Sequence, residues 1–204
     1  MRQAWIVICT AIVVLSALLI GCAKTPDRPV VVLETAAGDV RLSIHIDTAP
    51  ISAGDFLRYV QGGLYDGQGF YRTVRADNDP RGMGMSLVQG GRLDREIIGT
   101  PIAHELTTQS GLSNVEGTIA IARLEPGTGS ATYFFINLGD NSFLDTGGTR
   151  NPDGQGYATF GTVLSGLDVL RDIQAGTVEI ESEDAATVGQ ILVDPVIITR
   201  AYRE

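Results

Sequence analysis

Cysteine and histidine are scarce in this chain of 204 residues, and their scarcity removes several kinds of chemistry. Both cysteines, Cys9 and Cys22, precede the main body of the sequence, which therefore has no disulfide, thiolate nucleophile or cysteine metal site. His45 and His104 are the only histidines, so a histidine-rich metal centre is excluded. We expect His45 to face solvent on a strand and His104 to be a loop residue with a satisfied hydrogen bond. No metal and no cofactor is indicated.

Positive charge is also in short supply. The chain has 15 Lys and Arg residues against 24 Asp and Glu, and its formal net charge is −9. Nucleic-acid binding needs clustered basic residues to neutralise phosphates, so no nucleic-acid partner is expected. Aromatic residues make up only 6%, whereas the 25 glycines favour many turns and short strands.

One apolar run, Ala4 to Ile20, follows the single basic residue Arg2 and ends in "LIGC" at 19–22. The run is short for a membrane span and is typical of an export signal. The tetrapeptide resembles the bacterial lipoprotein signal. We therefore expect a signal peptide at 1–21, lipidation of Cys22, a tether at 22–29, and anchoring in the bacterial cell envelope facing the periplasm or exterior. The alternative is an uncleaved N-terminal anchor.

The remaining sequence predicts short strands and two helices. Residues 30–46 alternate on both sides of a Gly-Asp turn, which indicates two strands. A helix follows, with Thr48 as its N-cap, Pro50 in its first turn, and a stop at Gly62. A second helix is predicted at 166–174, with Leu167, Leu170 and Ile173 buried.

Further strands are predicted near 70–74, 87–89, 117–122, 133–137, 157–163 and 190–202. Pro195 should lie at an edge or bulge, because proline cannot donate a ladder hydrogen bond. The absence of regular strand–helix alternation argues against a parallel sheet and favours a closed antiparallel barrel.

Five short motifs occur in order: "GFYR" at 69–72, "VQGG" at 88–91, "GTIAIAR" at 117–123, "SATYFFINL" with "FLD" at 130–145, and "GYATFG" at 156–161. This series resembles the cyclophilin-type peptidyl-prolyl isomerases, and in particular divergent bacterial members with a longer loop after the arginine. The resemblance covers a domain at 30–202. It implies a mainly β fold, a closed antiparallel eight-stranded barrel capped by two α-helices, with a substrate groove on the outer face.

The resemblance also implies residue roles. Arg72 matches the catalytic arginine, and Gln89 matches the glutamine that orients it and binds substrate backbone. Phe135 matches the floor of the proline pocket. Strand alternation puts Phe134 and Phe135 on opposite faces, and the resemblance assigns Phe134 to the interior. The other implied substrate-binding positions are Leu87, Leu144 and Tyr157 in the pocket wall, Ile121, Ala122 and Arg123 along the peptide's path, Tyr133 beside the substrate backbone, and Phe143 at the rim.

Some positions depart from the family pattern. Tyr133 replaces a common glutamine, Ser86 an aromatic pocket residue, and Arg123 a common asparagine; Tyr157 replaces a frequent histidine, and the loop at 76–85 is longer than usual. The resemblance predicts a monomeric prolyl isomerase that acts on proline-containing polypeptides and helps exported proteins fold. The alternative is a membrane-tethered module that binds proline peptides with little catalysis.

Overall fold

The structure, a computed structural model, describes residues 28–94, 96, 98–180 and 187–204. The expected signal peptide, the lipidation site Cys22 and most of the tether at 22–29 lie outside these residues. Within the described ranges, no helix is both long enough and apolar enough to cross a bilayer.

The structure has eight strands: β1 Val30–Thr35, β2 Gly38–Ile44, β3 Gly69–Val74, β4 Leu87–Gly91, β5 Thr118–Ile121, β6 Tyr133–Asn137, β7 Thr159–Ser165 and β8 Ile191–Arg203. They are antiparallel and close into one barrel in the order β1-β2-β7-β5-β6-β4-β3-β8. This confirms the predicted architecture.

The two predicted helices are α1, Pro50–Gln61, and α3, Leu167–Gln174. On α3 the side chains of Leu170 and Ile173 are buried, and Leu167 is half-buried against the same core. Two short elements were not predicted: the single-turn helix α2, Thr107–Ser110, and a 3-10 turn, Ser142–Leu144.

The start of α1 differs from the prediction. Its N-cap is Ala49, not Thr48, and no capping side chain is supplied locally. Instead the buried carboxylate of Glu105 accepts hydrogen bonds from the backbone nitrogens of Ile51 at 3.0 Å and Ser52 at 2.7 Å. A carboxylate at this position satisfies free N–H groups and complements the positive end of the helix dipole.

Aromatic rings fill the barrel interior. Phe134 contacts Phe56 of α1 and Phe70 of β3 in edge-to-face geometry, with centroid separations of 5.6 and 5.9 Å. Tyr65 and Phe160 complete the cluster around Phe56. The inward orientation predicted for Phe134 is confirmed, and its neighbour Phe135 faces the other way.

Close packing also explains the first glycine of "VQGG". A Cβ added to Gly90 would lie 2.9 Å from Cζ of Phe134 and 3.0 Å from Cδ1 of Phe70. The absence of a side chain lets both rings pack against β4. The glycine after Gln89 is therefore required by the packing of the barrel core.

The last strand reaches beyond the predicted boundary at Tyr202. β8 ends at Arg203, and the nitrogen of Glu204 donates to the carbonyl of Val30 at 2.9 Å. Between β3 and β8 the pairing jumps from Phe70–Val196 to Arg72–Ile191. Pro195 lies in this irregular stretch, in agreement with its prediction.

His45 was expected to face solvent, and this is wrong. His45 directly follows the last residue of β2, Ile44, and is 5% exposed. Its Nε2 lies 3.3 Å from Oγ1 of Thr162. Burial, with the nearby positive charge of Arg28, lowers the pKa of His45.

Candidate active site

An irregularity in β3 sets the direction of the site residues. Phe70 pairs with Gly90 and Arg72 pairs with Gln89 on β4, so Tyr71 is an extra residue between the two pairs. A β-bulge of this kind re-aims the side chains that follow it. Phe70 is buried in the core, whereas Tyr71 and Arg72 both line a pocket outside the barrel.

The guanidinium of Arg72 is held by two glutamines. Nη1 donates to Oε1 of Gln89 at 2.7 Å. Nε and Nη2 both donate to Oε1 of Gln190, at 2.9 and 2.6 Å. Both acceptors are neutral amides, so these bonds fix the orientation of the guanidinium without cancelling its charge.

Gln89 joins Arg72 to a third polar group. Its oxygen must face Arg72, because a guanidinium can only donate, and its Nε2 then donates to the hydroxyl of Tyr71 at 2.7 Å. The Tyr71 ring meets Tyr133 in an edge-to-face contact at 6.2 Å. Both tyrosines line the pocket, so one of its sides is aromatic and hydroxylated.

The floor of the pocket is apolar. Phe135 is 4% exposed and packs edge-to-face on Tyr157 at 5.4 Å. Leu87, Leu144 and Met85 surround it in a buried cluster that is separate from the barrel core. Together with the polar side they enclose a cavity of about 380 Å³.

Arg123 forms a wall of this cavity, and its positive charge is balanced by the carboxylate of Asp153. Its side chain is 1% exposed and pairs with Asp153 through two bonds of 3.0 and 2.9 Å. Its Nε donates to the carbonyl of Gly156 at 2.8 Å, and the guanidinium lies 5.3 Å from the centre of the Tyr157 ring. Hydrogen bonding from Arg123 lowers the pKa of Asp153. Arg123 therefore supports Tyr157 rather than adding an unpaired charge to the groove.

The long loop at 76–85 delivers a pocket residue. The carboxylate of Asp79 accepts from the backbone nitrogens of Arg81, Met83 and Met85 at 3.1, 2.8 and 3.2 Å. Met85 then projects into the pocket. Ser86 does not line it, and its hydroxyl accepts from Gln174 at 3.0 Å.

Most of the predicted site residues meet at this pocket: Arg72, Gln89, Leu87, Ala122, Arg123, Tyr133, Phe135, Leu144 and Tyr157. Two do not line it. The side chain of Ile121 lies in the barrel core, because β5 alternation points it inward. Phe143 packs against the pocket cluster from outside.

The sequence did not point to Tyr71, Met85 or Gln190, nor to four further residues that line the pocket: Leu124, Thr128, Ser130 and Arg150. The pocket position of Tyr71 follows from the bulge in β3, and that of Met85 follows from the conformation of its loop; neither is visible in the sequence. Gln190 is 118 positions from Arg72, so no local pattern connects them. Within the described part of the chain, no cluster of carboxylate, histidine or cysteine side chains is arranged to hold a metal ion.

Comparison with known proteins agrees with this geometry. The family model described as cyclophilin type peptidyl-prolyl cis-trans isomerase/CLD matches residues 30–201. The chain is 31% identical to peptidyl-prolyl cis-trans isomerase A of Dickeya dadantii over 84% of this chain and 82% of that protein. It is 34% identical to an Acinetobacter baylyi peptidyl-prolyl cis-trans isomerase over 79% of each.

Solved structures show the same fold. A Cryptosporidium parvum cyclophilin type peptidyl-prolyl cis-trans isomerase, crystallised in the presence of the dipeptide Ala-Pro, superimposes with a TM-score of 0.64 at 19% identity. The match covers 86% of this chain and 98% of that structure.

Proposed function

The chain belongs to the cyclophilin-type peptidyl-prolyl cis-trans isomerase family, and on that premise we propose that its pocket binds and isomerises X–Pro peptide bonds. The single observation that carries the proposal is the juxtaposition of a fixed guanidinium and an apolar floor. Arg72, held by Gln89 and Gln190, lines the same cavity as Phe135.

The physical difficulty of the reaction is loss of amide resonance. Rotation about a peptide bond crosses a barrier of about 18–20 kcal/mol, and X–Pro bonds isomerise unaided in tens to hundreds of seconds. No bond is broken, so the reaction needs no nucleophile or metal. To reach a turnover of about 10³ per second, an enzyme must lower this barrier to about 13 kcal/mol.

Arg72 supplies a donor where the electronic change occurs. As the bond twists, the prolyl nitrogen loses conjugation, becomes pyramidal and gains a lone pair that accepts a hydrogen bond. Arginine remains charged at any physiological pH, so it donates and does not exchange its proton. An interaction that strengthens in the twisted state lowers the barrier, whereas equal binding of both ground states does not.

The apolar floor holds the proline ring while the flanking bond turns. Phe135, Leu87 and Leu144 are almost fully buried side chains that offer a dry surface of the right character. Anchoring the ring confines rotation to the peptide bond, and exclusion of water strengthens the donor.

The proposal is tested by the isomerisation rate of a short X–Pro peptide, measured on the purified protein. Arg72→Ala should reduce kcat/KM by about 10²–10³-fold, the loss typical of a key transition-state donor, with circular dichroism unchanged. The matched control is Arg171→Ala on α3, where Arg171 forms a half-exposed ion pair with Glu116. If the wild type binds the peptide but does not accelerate its isomerisation, the proposed enzymatic activity is overturned and a peptide-binding module is supported.

We also propose that the enzyme is a lipoprotein of the bacterial envelope that assists exported proteins. The support is the apolar run from Ala4 to Ile20 followed by "LIGC" ending at Cys22. A fatty-acid analogue fed to cells that express the full chain should label the wild type and not Cys22→Ser. Equal labelling of the two would overturn the lipid anchor and leave the isomerase proposal untouched.

A further inference from the structure

Gln190 lies immediately before β8, in the irregular stretch opposite Arg72. It is fully buried, and its backbone carbonyl accepts from the nitrogen of Thr73 at 2.8 Å. Its own nitrogen donates to the carbonyl of Thr187 at 3.0 Å. The backbone of Gln190 is therefore fixed on both sides, directly behind the guanidinium.

The side-chain amide of Gln190 has one possible orientation. Nε2 donates to the backbone carbonyl of Asn78 at 2.9 Å, and a flipped amide would bring two acceptor oxygens together there. The oxygen must then face Arg72, where it accepts from both Nε and Nη2. A shared acceptor of this kind fixes the plane of the guanidinium as well as its position.

The carbonyl that orients Gln190 belongs to the long loop. The side chain of Asn78 donates to the carbonyls of Thr73 at 3.2 Å and Gly189 at 2.9 Å. Its oxygen accepts from the nitrogen of Arg75 at 2.6 Å. Asn78 therefore joins the loop to β3 on one side and to the approach of β8 on the other.

We propose that Gln190 is a positioning residue for Arg72 and that Asn78 holds Gln190 in place. This inference rests on the proposed catalytic role of Arg72. A neutral amide orients the guanidinium without forming an ion pair with it, whereas a carboxylate at the same place would form one. The loop at 76–85 thus acts on catalysis from behind the pocket, through the chain Asn78, Gln190 and Arg72.

The decisive variant is Gln190→Met, which has similar length but no acceptor. Hydrogen bonds to a charged group are worth about a 10- to 100-fold change in an equilibrium or rate, so kcat/KM should fall by about that factor. The dissociation constant for a proline peptide should change by less than about threefold, since Gln190 does not line the pocket. Gln109→Met, on α2, is the matched control, because it removes a glutamine oxygen that accepts from the nitrogen of Leu106 and not from Arg72.

Gln190→Glu keeps the acceptor geometry and adds a negative charge. We expect the guanidinium to remain oriented and kcat/KM to stay below wild type because the ion pair weakens the donor. The Nε–H resonance of Arg72, assigned by its loss in Arg72→Ala, reports orientation without activity. It should shift and broaden in Gln190→Met and keep its line width in Gln190→Glu and Gln109→Met.

A double variant separates positioning from general stability. Adding Gln190→Met to Arg72→Ala should reduce the residual rate by less than about twofold, because the residue it positions is gone. Wild-type kcat/KM in Gln190→Met, or an equal loss in both backgrounds, would overturn the inference. If Gln190→Met fails to fold, Asn78→Ala replaces it and must lower kcat/KM and broaden the Arg72 resonance. An inactive wild type would instead overturn the proposed function.

Discussion

Phe70 and Arg72 are two positions apart on one strand, yet Phe70 lies in the barrel core and Arg72 lines the outer pocket. In a regular strand both would point to the same face, because side chains alternate with a period of two. The extra residue Tyr71 breaks this alternation. One bulge thus supplies a core aromatic, a pocket hydroxyl and a guanidinium from three successive residues.

The pocket floor gives the first prediction. Phe135→Ala should weaken binding of a proline peptide by about 10-fold or more, since a buried aromatic contributes several kcal/mol to packing. It removes the contacts with Leu87, Leu144 and Tyr157. The measurement is peptide affinity by calorimetry or NMR titration.

Phe143→Ala is its matched control. Phe143 packs on the same cluster but does not line the cavity. It should lower the unfolding free energy and leave peptide affinity within about twofold, an effect expected when no direct contact is lost. A larger loss of affinity in Phe143→Ala than in Phe135→Ala would contradict this assignment of the floor.

The second prediction concerns the loop carboxylate that places Met85. Burial alone would raise the pKa of Asp79, but the backbone donors of Met85, Arg81 and Met83 outweigh it, and the pKa lies below its usual value. A depressed carboxyl pKa means that the stabilisation is present above the unfolded value and is lost as pH falls through the folded value.

At neutral pH, Asp79→Ala should therefore release Met85 and weaken binding of proline peptides while the barrel stays folded. The control is Asp77→Ala in the same loop, where Asp77 is exposed and pairs with Arg75. Peptide affinity and the methyl resonance of Met85 are the measurements. An unmoved methyl signal together with unchanged affinity in Asp79→Ala would refute the role of this carboxylate.

The sequence predicts the parts of the site that depend on local alternation or on ordered motifs. Phe134 and Phe135 are adjacent strand residues, so one must be core and the other surface. Tyr71 escapes this reasoning because an inserted residue looks like ordinary sequence. Gln190 and Glu105 escape it because their partners lie 118 and 54 positions away. Thr48 was wrongly predicted as the N-cap of α1, because the carboxylate that satisfies this helix end belongs to the distant Glu105.

The third prediction tests the core role of Gly90. Gly90→Ala should cost about 1–3 kcal/mol of unfolding free energy, the usual penalty for overpacking. The added Cβ meets rings of Phe134 and Phe70 that are themselves tightly packed. Urea denaturation of the purified protein measures the change.

Gly54→Ala is the opposite control. Gly54 is exposed within α1, and an added Cβ there has no neighbour within 4 Å. Alanine is favoured over glycine inside a helix, so stability should rise by about 0.5–1 kcal/mol. A neutral Gly90→Ala would show that the rings move aside and that the motif glycine has another cause.

The fourth prediction is a pH dependence carried by His104. Burial lowers the pKa of His104, the nearby positive charge of Arg123 acts in the same direction, and a hydrogen bond to the carbonyl of Gln155 at 3.1 Å opposes them. The unfolded chain therefore binds a proton at higher pH than the folded domain does. The free energy of unfolding therefore falls as pH drops from above the ordinary histidine pKa to below the pKa of His104 in the folded domain.

His104→Gln retains a donor for Gln155 and cannot titrate. Unfolding free energies from urea titrations at pH 7.5 and 5.0 should show a smaller acid loss for this variant than for the wild type. His45, whose pKa is also lowered, contributes equally to both proteins and cancels in the comparison. An acid loss in His104→Gln as large as in the wild type would mean that other groups carry the pH dependence.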